Sequence, residues 1–248
     1  HRSFESPYFC PEFTQMVACV RKDVRVVVIE DAGRPVGFFP HQRSFLGMGK
    51  PVGGPLSDYH GVIADPGSEW SVSELMCAAK LAVWTFDHLV DETRKFEPHV
   101  TAQATSPQID LSRGFEHYLR ELRDPPQDFA RKARKMGREV GELSFTLHDA
   151  GSAPMEQMIR WKREQYRSNR LVDVFGSRWT GELLRRIMNV QTAKFAGVCS
   201  VLRAGDRVVA VHVGMRSHRV LHWWFPTYAQ EFARFSPGII ILFRLAEV

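Results

Sequence analysis

The stretch FAGVCSVLRAGDRVVAVHVGMRSHRVLHWWFPTYAQEFARFSPGIIILFRLAEV, residues 195–248, decides the fold. Two apolar runs, Phe195–Arg203 and Arg207–Arg216, are joined by Ala204-Gly205-Asp206, the spacing of a β-hairpin. After the polar Ser217-His218 turn, Arg219–Phe225 reads as a third strand. The segment Ala233–Gly238 then leads into a helix over Ile239–Ala246. Ser236 suits the N-cap of that helix and Pro237 its first position. Gly238 has no side chain to cover the backbone N–H groups of the first turn. A helix that opens this way beside a strand end is a ready anion site.

A similar pattern lies near the start of the chain. Arg25–Glu30 reads as a strand, Asp31-Ala32-Gly33-Arg34 as a turn and Pro35–His41 as a second strand. Ala-Gly stands at the same place in both hairpins, about 170 residues apart, a weak internal repeat that implies two related halves. Pro11–Val20 is an expected helix with Phe13, Met16, Val17 and Val20 on one face. Gly47–Asp65 is rich in Gly and Pro and too irregular for an element interior. Ser71–Val90 is expected to be the main helix of the first half. The capping box Ser71-x-x-Glu74 opens it, and Leu75, Met76, Ala79, Ala82, Val83 and Phe86 form its buried stripe. His99–Ala104 reads as a strand.

A boundary near 106–113 separates two segments, 1–110 and 111–248. The second has expected helices at Gly114–Arg123, Asp128–Val140, Pro154–Asn169 and Arg178–Gln191, and a strand at Glu142–His148. Helices mixed with antiparallel meanders give an α/β chain with a mixed α+β sheet, not a run of parallel βαβ units.

Of the 248 residues, 44% are hydrophobic, enough to build packed cores and to argue against disorder. The net charge of +5 reads first as that of an ordinary basic protein, and otherwise as a match for an anionic ligand or an acidic polymer. Cys10, Cys19, Cys77 and Cys199 show no C-x-x-C spacing and read as buried thiols of a cytoplasmic protein. No zinc site or other metal site is expected. No segment reaches the roughly 20 apolar residues that span a bilayer. The chain begins at His1, not Met, so further residues are expected upstream. There is no G-x-G-x-x-G after a strand, no P-loop, no G-x-S-x-G elbow and no H-E-x-x-H, which removes the dinucleotide, kinase-type, serine-hydrolase and metalloprotease readings.

The run Gly205–Tyr228 followed by Phe235-Ser-Pro-Gly238, together with Lys162-x-x-Gln165-Tyr166 and Asp173-Val174-Phe175, resembles the cellulose-biosynthesis-linked family of tandem GNAT acetyltransferase-like domains, related to the Fem-type aminoacyltransferases. The resemblance is strongest over about 126–247. It implies two tandem GNAT-like domains, the first degenerate and the second binding acetyl-CoA or another acyl-CoA. It also implies that a completing strand follows residue 248. Phe225–Tyr228, with Phe225 and Pro226 toward the donor, match the end of the splayed strand. Arg234, Phe235, Ser236, Pro237, Gly238 and Ile239 match the loop that holds the pyrophosphate. The loop departs from the usual Gln/Arg-x-x-Gly-x-Gly/Ala signature, with Pro237 where a small residue or a donor is expected.

Acyl transfer needs a base for the acceptor and an acid for the departing thiolate. In the second segment Tyr228 suits the acid; His222 and His212, on neighbouring strands, read first as core or rim histidines and otherwise as the base. In the first, Asp58-Tyr59-His60 places a carboxylate and an imidazole in the open Gly/Pro-rich loop; Asp58 and His60 are candidates for a substrate-facing role or for turn stabilisation. Trp223 and Trp224 point to opposite sides of their strand. The expected activity is acyl-CoA-dependent N- or O-acyl transfer to an amine or a sugar hydroxyl, in exopolysaccharide or cell-envelope biosynthesis. Two alternatives stand beside it. One is a Fem-type transferase whose tRNA partner meets the basic run Arg131–Arg138; the other is a non-catalytic regulatory protein on the same fold. Nucleic acid is otherwise not an expected partner, and the sequence leaves the oligomeric state open.

Overall fold

The computed structural model describes residues 2–122 and 127–248. Its internal packing divides the chain into two units. Unit 1 comprises 1–103, 177–195 and 216–221, and unit 2 comprises 104–176, 196–215 and 222–248.

Unit 1 begins with helix α1 (Pro11–Val20), whose Phe13 and Val17 are buried. Strands β1 (Val24–Asp31) and β2 (Arg34–Arg43) form the expected antiparallel hairpin around Ala32-Gly33, both with positive φ. The Gly/Pro-rich stretch supplies β3 (Met48–Lys50) and β4 (Ile63–Ala64), each antiparallel to β2. Helix α2 (Val72–Ala79) opens on the expected Ser71–Glu74 capping box. It stops at Lys80, which turns left-handed and bonds back to the Cys77 and Met76 carbonyls, while the Leu81 N–H also reaches Met76. The expected helix to Val90 is therefore cut in half. Val83-Trp84 forms β5, parallel to β3, so Ala82, Val83 and Phe86 leave the helical stripe. Phe39, Leu75, Ala79, Trp70 and Phe96 pack as one core. The expected strand at His99–Ala104 is absent; a 3₁₀ turn covers Glu97–His99, and exposed irregular chain follows.

In unit 2, α3 (Phe115–Glu121) lies within the expected 114–123 helix, whose last residue, Arg123, falls outside the described residues. Helix α4 (Gln127–Glu139) is followed by β6 (Leu143–Thr146), and α5 spans Ser152–Ser168. Helix α6 (Arg178–Met188) belongs to unit 1, where it packs on α1. Strands β7 (Phe195–Ala204), β8 (Arg207–Ser217) and β9 (Leu221–Tyr228) follow, and the sheet order is β6-β7-β8-β9. Strand β9 runs three residues further than expected, so Tyr228 is its last residue. Helix α7 (Pro237–Glu247) packs Ile240 and Ile241 against Leu202, Val209, Ala133 and Met136. Of the four free thiols only Cys199 is buried; Cys19 and Cys77 are exposed and Cys10 is half-buried. The expectation of four buried thiols fails because Cys19 and Cys77 fall on the open faces of α1 and α2.

Candidate functional site

The step from β9 to α7 positions most of the candidate residues. Trp223 and Tyr228 both pack against the core cluster that α7 completes, although they are five residues apart. A strand with strict two-residue alternation would send them to opposite faces. Pro226 lies between them and has no N–H to give the ladder. Trp224 and Phe225 are buried and stack on each other, and Phe225 meets Phe175 edge-on at 5.0 Å. The expected contrast between the tryptophans takes this form: Trp224 is core, while half-buried Trp223 lies flat on His212 at 4.2 Å.

After β9 the chain winds through a 3₁₀ helix, Gln230–Phe235, which buries Phe232 and Phe235. Ser236 then turns left-handed (φ 53°) and starts α7. Its position is that of the expected N-cap, but its hydroxyl caps no backbone N–H. Instead the Ser236 Oγ receives a hydrogen bond from Lys132 Nζ at 3.0 Å. The Ser236 carbonyl accepts from the Ile239 and Ile240 N–H groups. Pro237 has no N–H, which leaves the Gly238 N–H as the open donor of this first turn among the described residues. A Cβ on Gly238 would stand 3.4 Å from the Tyr228 ring, so glycine here lets the tyrosine lie against the helix start. The Arg234 guanidinium pairs with Glu139 Oε2 at 2.9 Å and lies over the Phe235 ring. Ile239 is exposed.

The sequence pattern marks Lys132 only as one member of a basic run. In α4, Ala133 and Met136 are buried. Lys132 flanks that buried stripe, whereas Arg131, Arg134, Lys135 and Arg138 recur at helical spacing on the exposed face. That phase is the signal that singles out Lys132, but its partner lies 104 residues away. Its ammonium stands at the positive end of the α7 dipole, an arrangement that an anion would relieve.

His212 is fully buried, and neither ring nitrogen has a hydrogen-bond partner. Burial pulls its pKa down to about 3, and the nearby His222 carbonyl offsets this only in part. The ring lies across Gly214, where a Cβ would come within 2.6 Å of it and 2.4 Å of the His222 carbonyl. A base needs a pKa near the working pH; His212 lacks one. His222 is half-buried on β9.

Asp58 and His60 lie in unit 1 and do not pair with each other. Asp58 Oδ2 accepts from the buried Tyr8 hydroxyl at 3.4 Å, which also reaches the Leu56 carbonyl. Burial, and then the Asp58 charge, hold the Tyr8 pKa well above its ordinary value. His60 is buried edge-on to Trp84 with both ring nitrogens unpartnered, and burial lowers its pKa to about 4. The recess beside it, lined by Tyr8, Phe13, Ser57 and Tyr59, holds about 20 Å³, room for one water. In unit 2 a cleft of about 270 Å³ lies beside Leu143, Phe145, Arg244 and Glu247, at the far end of α7 from Gly238. That end of the helix carries the negative pole, which is wrong for a phosphate.

Residues 127–248 match the family model of the acetyltransferase (GNAT) domain. Over that stretch the chain is similar to GNAT-type acetyltransferase domains. That family consists of acyltransferases, and the matched segment contains α4, the sheet β6–β9 and α7. No curated protein matches the chain. Among the described residues no three His, Cys, Asp or Glu side chains converge as a metal site. No described helix is long and apolar enough to cross a membrane.

Proposed function

We propose that the GNAT-type domain transfers an acyl group from acyl-CoA to an amine or a sugar hydroxyl. The observation that carries this reading is the meeting of Lys132 Nζ, the Ser236 hydroxyl and the open Gly238 N–H at the start of α7. A cation, a hydroxyl and an amide at a helix N-terminus are the donors that a diphosphate takes up. Arg234 adds a second cation once it exchanges Glu139 for the ligand, since an exposed ion pair holds it only weakly. Pro226, which gives the ladder no N–H, supports an opening beside β9 in which neighbouring backbone N–H groups polarise the thioester carbonyl.

Tyr228, packed on Gly238, has its hydroxyl unengaged among the described residues and suits proton delivery to the departing thiolate. His222 is left as the candidate base in this unit. In the fuller form of the proposal the protein is cytoplasmic, residues 1–110 form a degenerate GNAT-like partner of 111–248, and the acceptor is a saccharide of the cell envelope. Asp58 and His60 have no assigned step, as the recess beside them fits only a water.

Calorimetric titration with acetyl-CoA and longer acyl-CoAs tests the donor. Lys132→Ala should weaken binding about tenfold or more, as expected for loss of a charge-assisted contact. Absence of binding by every acyl-CoA would overturn the proposal. The basic outer face of α4 favours one second reading, an aminoacyl-tRNA donor. It requires tRNA binding that weakens steeply with salt.

A further inference from the structure

One end of the unit 1 sheet exposes apolar side chains that no core contact explains. Phe45 and Leu46 are the two central residues of the tight turn between β2 and β3, and they are 97% and 66% exposed. Beside them Met48, 57% exposed, faces its β5 register partner Val83, 49% exposed. The turn is rigidly held. The Gly47 N–H reaches the Ser44 carbonyl, the Ser44 N–H reaches the Met48 carbonyl, and the Ser44 hydroxyl accepts from the Met48 N–H. The Gly47 carbonyl in turn accepts from the Ala82 N–H at 2.9 Å. Four large apolar groups are thus presented to solvent by backbone that cannot fold them inward.

The charge around this tip is mainly positive; Asp23, beside Arg43, is paired with Arg21. From Ala32 to Ser57 the sequence contains no Asp or Glu, and from Leu75 to Phe86 none. Those two segments form the tip and its neighbours, and they carry Arg43, Lys50 and Lys80. Lys50 and Lys80 are exposed, and Lys80 adjoins the turn through its carbonyl, 3.3 Å from where a Gly47 Cβ would stand. An apolar tip inside a basic collar is complementary to an interface with apolar depth and negative charge at its surface. We propose that residues 44–48 with Val83 dock this protein on an anionic lipid surface. Phe45 and Leu46 enter the acyl boundary, and Arg43, Lys50 and Lys80 meet the headgroups. A single apolar tip of this size gives reversible attachment, so the basic collar is needed as a second contribution.

The inference does not depend on the donor reading, and its test needs no acyl-CoA. The full chain is sedimented with vesicles of phosphatidylcholine alone and with vesicles that also contain phosphatidylglycerol. Binding is expected only to the second kind, and it should weaken as salt rises. The double variant F45S/L46S should lose about tenfold or more in partitioning, because the apolar contribution is gone, with its melting temperature unchanged. K80E should weaken binding while leaving the apolar tip intact. No binding to anionic vesicles by the native chain would overturn the proposal. So would equal binding by native chain and double variant, since the docking surface would then lie elsewhere. If sedimentation equilibrium instead shows an oligomer that F45S/L46S dissolves, the tip is a contact between copies of this chain and the lipid assignment fails.

Discussion

Acidification should weaken unit 2 through His212, and the size of the effect follows from the burial of one ring. The imidazole is wholly buried, stacked on Trp223 and without a partner for either nitrogen. Its pKa is about 3 in the folded chain against 6.5 for the free side chain. Between those values the unfolded chain binds a proton that the folded chain refuses, so stability must fall as pH drops below 6.5 and stop falling below about 3. Comparing the two titrations at pH 7 and pH 5 gives a loss of about 2 kcal/mol.

Urea unfolding followed by tryptophan fluorescence at the two pH values measures this loss, with His212→Phe as the comparison. The variant keeps a flat ring on Trp223 and removes the titrating group. Its own stability at pH 7 is immaterial, because the readout is the change with pH. His60, lowered to about 4, adds a loss of the same sign in unit 1, so the contrast is cleanest in a His60→Phe background. If His212→Phe weakens on acidification as much as its parent does, the ring is either solvated or partnered and the reasoning is refuted.

Gly214→Ala places a methyl 2.4 Å from the His222 carbonyl and 2.6 Å from the His212 ring. The strand pair cannot absorb this, and a loss of about 1–3 kcal/mol is expected from denaturant unfolding. Tyr228→Phe should lower kcat by about a hundredfold or more while leaving acyl-CoA affinity unchanged in calorimetry, the mark of a lost proton donor. Equal kcat values would remove Tyr228 from the chemistry.

The hairpins were readable because Gly205 and the Ala32-Gly33 pair are local turn signals between apolar runs. Helix α1 and the start of α7 were readable from their prolines and from the phase of their apolar residues. The halving of the Ser71–Val90 helix was not. Lys80 takes a left-handed conformation without the glycine or asparagine that normally marks a helix end. Beyond it Leu81-Ala82-Val83-Trp84 keeps a helical phase, but pairing with β3 draws Val83-Trp84 into a strand. At the candidate site the loop 234–239 and Tyr228 were found from local pattern and resemblance. Lys132 was missed as a loop contact because that contact joins two distant parts of the chain. A core place for His212 is legible in its apolar strand, but the lack of a hydrogen-bond partner for either ring nitrogen is not, since partners come from other elements.

Helix α6 has a consequence for anyone dividing this chain. It follows α5 in sequence yet packs on α1, and it buries Leu183, Leu184 and Ile187. The polypeptide thus leaves unit 2, completes unit 1 and returns, and it does so again at 216–221. No single cut yields two whole pieces. A fragment starting near residue 111 would carry an orphaned greasy helix, and a fragment ending there would have an open seam on α1. Neither half can be gained, lost or traded as a cassette without the other, which makes the full chain the smallest sensible object for expression.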